Sequence, residues 1–310
     1  MNRDDVDWKG YFAAAPTPFT RDGDLDTGLL EKVLWHLTAE GAHGLLVNGS
    51  TGECYSQTTD ERRQVAEASV RAVARAVPVL VGVCSASTAE TVALAQHAET
   101  AGADGVIFCP PPGARLTAVE VVEYYRHVCA QVRIPVMAYN IPSEIVTDIK
   151  PWTIAELADI PNVVAVKDST PDDLQFHRTV VELSDRVRVF GNLLTPAGIS
   201  MVISGCGGDG HFGSGMPLGR KLADAFDHAW AGRAAEALQI AREFAALRSA
   251  LHKSDGNGVF GGMQAQLKTM MRLQGQPAGY PRRPRLALED TEGAVAGLSA
   301  LLTEHGLVTA

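Results

Sequence analysis

The sequence predicts an α/β fold: a (β/α)₈ barrel of the TIM type with a C-terminal helical extension. Three observations carry this. Eight short apolar runs lie between Tyr11 and Phe212, amphipathic helical windows separate them, and the strand signal stops after Ala231. The runs are Tyr11–Ala15, Gly44–Val47, Val79–Val83, Gly105–Phe108, Pro135–Tyr139, Val163–Lys167, Val187–Gly191 and Gly207–Phe212. They are continuously apolar and do not alternate, as expected of parallel strands covered on both faces. The last is the poorest strand because of its glycines. A doubly wound sheet is the structural rival, but it usually needs fewer strands.

The intervening windows read as helices. Thr58–Ala76 opens on a Thr with Glu61 in its first turn, a good N-terminal signal. Thr88–Ala101 and Ala118–Val132 keep the same period. An internal echo supports repetition: Glu40-Gly41-Ala42-His43-Gly44 and Thr100-Ala101-Gly102-Ala103-Asp104-Gly105 each set a Gly at a helix end just before a strand. Beyond Ala231, Arg233–Leu251, Val259–Leu273 and Glu292–Glu304 read as helices with no strand between them. The expected organisation is a catalytic barrel over 1–231 and a helical extension over 232–310.

Composition narrows the function. The net charge is -9, and the one basic stretch, Arg282-Arg283-Pro284-Arg285, is short and broken by proline. Nucleic acid and anionic membrane surfaces are disfavoured as partners. The five cysteines form no CxxC pair, the start Met-Asn-Arg-Asp-Asp leads into no apolar stretch, and no apolar run is long enough to span a bilayer. A reduced, cytoplasmic setting is expected, with no signal peptide and no membrane span.

In such a barrel the chemistry gathers at the C-terminal ends of the strands. There Lys167 closes the run Val163-Val164-Ala165-Val166, an ammonium group at the tip of a buried strand. Desolvation lowers the pKa of such a lysine, and a neutral amine attacks carbonyls. Its bland reading is a lysine that snorkels out or pairs with Asp168. Tyr139 ends strand five and suits a proton carrier beside an amine, or a core Tyr with a satisfied hydroxyl. Gly49-Ser50-Thr51-Gly52, after strand two, is either a plain turn or a cradle for a small carboxylate. Glu53 is read as a structural capping or pairing residue.

Gly49-Ser50-Thr51-Gly52-Glu53, Tyr139-Asn140-Ile141-Pro142 and Val166-Lys167-Asp168-Ser169 together resemble the dihydrodipicolinate synthase/N-acetylneuraminate lyase family, in order and spacing as well as in residues. The resemblance runs from Ala14-Ala15-Pro16-Thr17-Pro18-Phe19 to Leu267-Lys268 and Arg283-Pro284. It implies a homotetrameric class I lyase or aldolase acting on pyruvate and an aldehyde, with no metal and no organic cofactor. It also implies roles: Lys167 forms the Schiff base, and Tyr139 moves protons. Ser50 and Thr51 hold the pyruvyl carboxylate beside Gly49, with Ser50 also in Tyr139's hydrogen-bond chain. Backbone groups at Gly191 and Phe212 line the Lys167 side.

Three departures bear on the second substrate. Glu144 stands where the synthases carry an Arg for a distal carboxylate, which disfavours dihydrodipicolinate synthesis and suits a cationic or hydroxylated substrate. Cys109-Pro110-Pro111-Pro112-Gly113 lacks the Tyr that completes the family's proton relay, and Tyr55 is a candidate stand-in. Gly191-Asn192-Leu193-Leu194-Thr195 lacks the carboxylates that hold sialic acid hydroxyls. His211 is a further candidate beside the site, as an acid–base group or a structural rim residue. Two rivals to the aldolase reading are a dehydratase of 2-oxo-3-deoxy sugar acids on the same Lys167 and Tyr139, and an NAD-binding oxidoreductase suggested by the GxGxxG run Gly208–Gly213.

Overall fold

The computed structural model describes residues 1–214 and 216–309. Eight parallel strands close in sequence order: β1 (Gly10–Ala14), β2 (Gly44–Val47), β3 (Val79–Gly82), β4 (Gly105–Phe108), β5 (Val136–Asn140), β6 (Val163–Asp168), β7 (Arg188–Gly191) and β8 (Gly210–Gly213). The predicted barrel is therefore the observed one. Seven helices separate the strands: α1 (Thr27–Ala39), α2 (Thr59–Val73), α3 (Thr88–Ala101), α4 (Ala118–Cys129), α5 (Pro151–Leu157), α6 (Asp173–Leu183) and α7 (Pro196–Ser204). α8 (Lys221–Trp230) follows β8. The Thr58–Glu61 capping box is formed at the start of α2.

Alternation along each strand builds two cores. Phe12, Leu46, Leu80, Ile107, Met137, Ala165, Phe190 and Phe212 fill the barrel interior, while Tyr11, Val47, Val81, Val106, Ala138 and Val166 pack outward against the helices. Trp8 joins the inner core ahead of β1, so tightly against Gly105 that a Cβ there would strike its ring. That closes the N-terminal end and leaves the C-terminal end for the site. Lys167 follows Ala165 by two residues and so points inward.

β8 starts three residues later than the sequence suggests. Gly207 and Gly208 have φ of 121° and 92°, so they form the turn into the strand and not the strand itself. Gly210 is glycine because a Cβ would collide with the Gly10 carbonyl and the Phe190 ring where the barrel closes. A dinucleotide fingerprint needs strand, glycine turn and helix in succession. Here the glycines from Gly210 to Gly213 are the last barrel strand.

The chain ends in α9 (Ala234–Leu251), α10 (Met263–Leu273) and α11 (Ala294–Glu304). α9 packs on α7 and α8, and α10 is buried from Gln264 to Met271. Both helices stand over the open end of the barrel, so the extension forms part of the site wall.

Candidate active site

A cavity of about 820 Å³ opens at the C-terminal end of the strands. Its wall includes Lys167, Thr51, Glu144, Gly191, His211 and Phe212, together with α9 and α10 residues. Gly49 and Ser50 are not part of that wall.

Lys167 Nζ lies 3.1 Å from the Tyr139 hydroxyl, 4.1 Å from the centre of the Tyr139 ring and 5.3 Å from that of Phe212. Lys167 and Tyr139 are also Cα partners across β5 and β6, so strand register sets their approach. Burial pulls the lysine pKa down from 10.5 to about 8, and the Glu144 carboxylate resists that fall. The bland pairing with Asp168 does not occur. Asp168 points outward and accepts from Asn140 Nδ2 (2.9 Å), Thr179 Oγ1 (2.8 Å) and the Thr170 N–H (3.1 Å). Gly191 is glycine because β7 ends against the Asp168 carbonyl and the Phe176 ring, where a Cβ would clash.

Tyr139 is held in turn. Its backbone N–H donates to the Tyr125 hydroxyl (3.1 Å), which donates to the Phe108 carbonyl (2.6 Å). Burial raises the Tyr139 phenol well above its ordinary range, Glu144 adds to the rise, and a side-chain hydrogen bond with Ser169 opposes it. The resting side chain is a neutral phenol. The resemblance implied a Ser50 link to Tyr139. Here the Tyr139 hydroxyl accepts from Lys167 Nζ, the Ser169 side chain opposes the rise of its pKa, and the Ser50 side chain acts in the same sense on Glu144.

Glu144 lines the cavity, solvent-exposed as a residue but with its carboxyl partly desolvated there. Burial raises its pKa, opposed by Lys167, the Ser50 hydroxyl and Arg285. Its loop is anchored below by Asn140, whose Nδ2 donates to Asp148 (3.1 Å) and whose Oδ1 accepts from the Ile149 N–H (2.9 Å). Neutralising Glu144 has a signed consequence. In Glu144→Gln the charge that holds Lys167's pKa up is gone, so the midpoint of its titration falls below about 8. The rate of pyruvate-dependent borohydride inactivation, followed against pH, is expected to shift to lower pH. An unmoved profile would show that Glu144 does not act on the amine.

Within one chain Tyr55 is 51% exposed and its hydroxyl accepts from Arg285 Nε at 3.4 Å. The missing tyrosine after β4 leaves thiols nearby. The Cys109 N–H donates to Cys84 Sγ at 3.2 Å, and both cysteines act electrostatically on Lys167 and Tyr139. His211 Nδ1 lies 2.7 Å from the Gly191 carbonyl and its ring stands edge-on to Phe244 of α9. Burial drives its pKa to about 3, so it is neutral across the physiological range and bridges β7, β8 and α9. Among the described residues, no group of three or more His, Cys, Asp or Glu is arranged to hold a metal ion.

One buried charge was not foreseen. Lys268 of α10 is fully buried, and its ammonium is bonded to Glu53, the Thr17 carbonyl (2.6 Å) and the Tyr280 carbonyl (2.8 Å). Glu53, read as a structural pairing residue, is that partner, and it also accepts from the Arg282 N–H (2.9 Å). The pair fixes the turn that carries Ser50 and Thr51.

A family model described as the dihydrodipicolinate synthetase family matches residues 7–302. The chain belongs to that family. A 4-hydroxy-tetrahydrodipicolinate synthase of Gluconacetobacter diazotrophicus is 33% identical over 249 residues, covering 79% of this chain and 82% of that one. A putative dihydrodipicolinate synthetase from Pseudomonas aeruginosa superposes with a TM-score of 0.85 at 28% identity, over 96% of this chain and 99% of that one. A prophage protein of the dihydrodipicolinic acid synthase family from E. coli K12, solved in complex with pyruvate, gives a TM-score of 0.87 at 24% identity, over 97% and 100%. At that identity the likeness is one of fold. Membership places the chain among the lyases. No described helix is long and apolar enough to cross a membrane.

Proposed function

We propose that this chain is a Schiff-base lyase that makes or breaks a C–C bond between pyruvate and an aldehyde, with Lys167 as the nucleophile. The observation that carries the reading is the inward Lys167 amine, its pKa lowered to about 8, set 3.1 Å from a tyrosine hydroxyl in a cavity large enough for two small substrates. In this reading the neutral Nζ attacks C2 of pyruvate and the carbinolamine loses water, with the proton supplied by Tyr139. The resulting iminium is an electron sink, so a proton leaves C3 and the enamine attacks the aldehyde carbonyl. Water then releases the product and the free lysine. The iminium charge beside Tyr139 favours transient loss of its proton, which the resting phenol resists. Thr51, on the cavity wall, and Ser50 receive the pyruvyl carboxylate. The chemistry is supplied by the lysine itself. A homotetramer goes with this reading and is tested by sedimentation.

A second reading is a 2-oxo-3-deoxy sugar acid dehydratase. Glu144 favours it, because a carboxyl whose pKa is raised by burial beside Lys167 is suited to protonate a departing hydroxide. Product analysis separates the two. The lyase releases pyruvate and an aldehyde from a 4-hydroxy-2-oxo acid, whereas the dehydratase gives a product of unchanged carbon count.

Tyr139→Phe tests the proton carrier. Its expected result is a fall in kcat of about 10²–10⁴-fold, with pyruvate trapping slowed and still mapping to Lys167. Turnover within a few-fold of wild type would remove Tyr139 from the mechanism.

A further inference from the structure

We propose that Arg248 is the specificity-determining cation of this site, receiving an anionic group, carboxylate or phosphate, at the distal end of the aldehyde. The inference rests on the pyruvate-lyase reading above and names the class of its second substrate.

Arg248 lies in the last turn of α9 and lines the cavity that holds Lys167. Its Nη1 donates to Asn192 Oδ1 at 2.9 Å, which holds the guanidinium over the end of β7. It makes no ion pair among the described residues. One donor is thus used, and this solvent-exposed lining residue keeps the rest of its planar fork for two-point recognition of an anion.

Position supports the assignment. Lys167 pairs with Phe190 and Asp168 with Gly191, so Asn192 is the first residue of the turn that leaves the neighbouring strand beside Lys167. Arg248 and Lys167 line the same cavity, so an acceptor joined to C3 of the bound pyruvyl unit extends within the space they share. The charges of both Lys167 and Arg248 reach His211, which lines the same cavity. The same wall carries Thr195, the N-cap of α7, whose helix presents its positive end there, and Lys253.

The acidic groups on the wall do not cancel this charge. Glu144 turns to Ser50, Lys167 and Arg285. Asp173 is exposed in the first turn of α6 and is not within ion-pair distance of Arg248. The charge reversal at position 144 therefore removes one way of reading a distal anion, and α9 supplies another.

The test uses the full chain, pyruvate and three aldehydes: glyceraldehyde, glyceraldehyde 3-phosphate and 4-oxobutanoate. Wild type is expected to prefer at least one anionic aldehyde over glyceraldehyde by about tenfold in kcat/KM, and the preferred one distinguishes phosphate from carboxylate. In Arg248→Ala the anionic-to-neutral ratio falls about 100-fold, chiefly through KM, and Arg248→Lys restores more of it for phosphate than for carboxylate. A wild-type preference for glyceraldehyde, or an unchanged ratio in Arg248→Ala, overturns the proposal. Borohydride trapping of pyruvate at Lys167 reports separately on the lyase reading. Were trapping to fail, calorimetric titration with glutarate and glycerol 3-phosphate still decides. Binding at least tenfold weaker in Arg248→Ala supports the site, and equal binding sinks it.

Discussion

Replacing Lys167 with alanine is expected to lower kcat/KM by about 10⁴-fold or more and to abolish pyruvate-dependent inactivation by borohydride. The size of the effect follows from what the barrel does to this amine. At pH 7 an amine with a pKa of about 8 is roughly 10% neutral, about 300-fold more than one at 10.5. No neighbouring side chain replaces it: Asp168 faces outward and His211 is neutral and bonded to a carbonyl. The pH dependence has a definite sign. Because only the neutral amine attacks, Schiff-base formation rises with pH and levels off above about 8. Lys167→Arg is expected to be as inactive as Lys167→Ala, since a guanidinium remains charged throughout. Residual turnover of a few per cent in either variant would assign the nucleophile elsewhere.

The second large effect is on stability. Lys268→Met is expected to cost about 3–5 kcal/mol, because it leaves a buried Glu53 carboxylate without its counter-charge. In the wild type the three ammonium donors meet three acceptors, on the loop after β1, the turn after β2 and the segment after α10. Breaking the knot frees the Ser50–Thr51 turn as well, so the variant should show a raised KM for pyruvate. Removing both charges, in Glu53→Gln/Lys268→Met, is expected to recover much of the loss, because apolar replacement of a whole buried pair is often close to neutral. Urea unfolding of the wild type and the two variants checks this. A single variant as stable as wild type would mean that the pair is not desolvated.

These two lysines also mark how far the sequence could be read. Lys167 was legible because a strand has period two and a parallel barrel buries both faces, so a charge closing an apolar run must enter the site. Lys268 was not, because one lysine in an amphipathic helical window looks like any solvated helix residue until α10 is docked on the barrel. Arg248 escaped for the same reason: its role depends on α9 standing over β7. Strand positions were recovered closely except at β8, where Gly207 and Gly208 extend the apolar pattern but adopt turn geometry. Ser169 was visible in the Val166-Lys167-Asp168-Ser169 motif, but its bond to Tyr139 is a three-dimensional fact. That Glu144 acts on Lys167 was equally hidden, since sequence gives its charge and not its nearness to the amine.

The most direct test of the central claim is covalent trapping. The full chain is incubated with pyruvate, reduced with borohydride, weighed intact and mapped by peptide mass spectrometry. A mass gain of one reduced pyruvyl group per chain is expected, located on Lys167 and absent from Lys167→Ala. An unmodified chain, or an adduct on any other lysine, would contradict it.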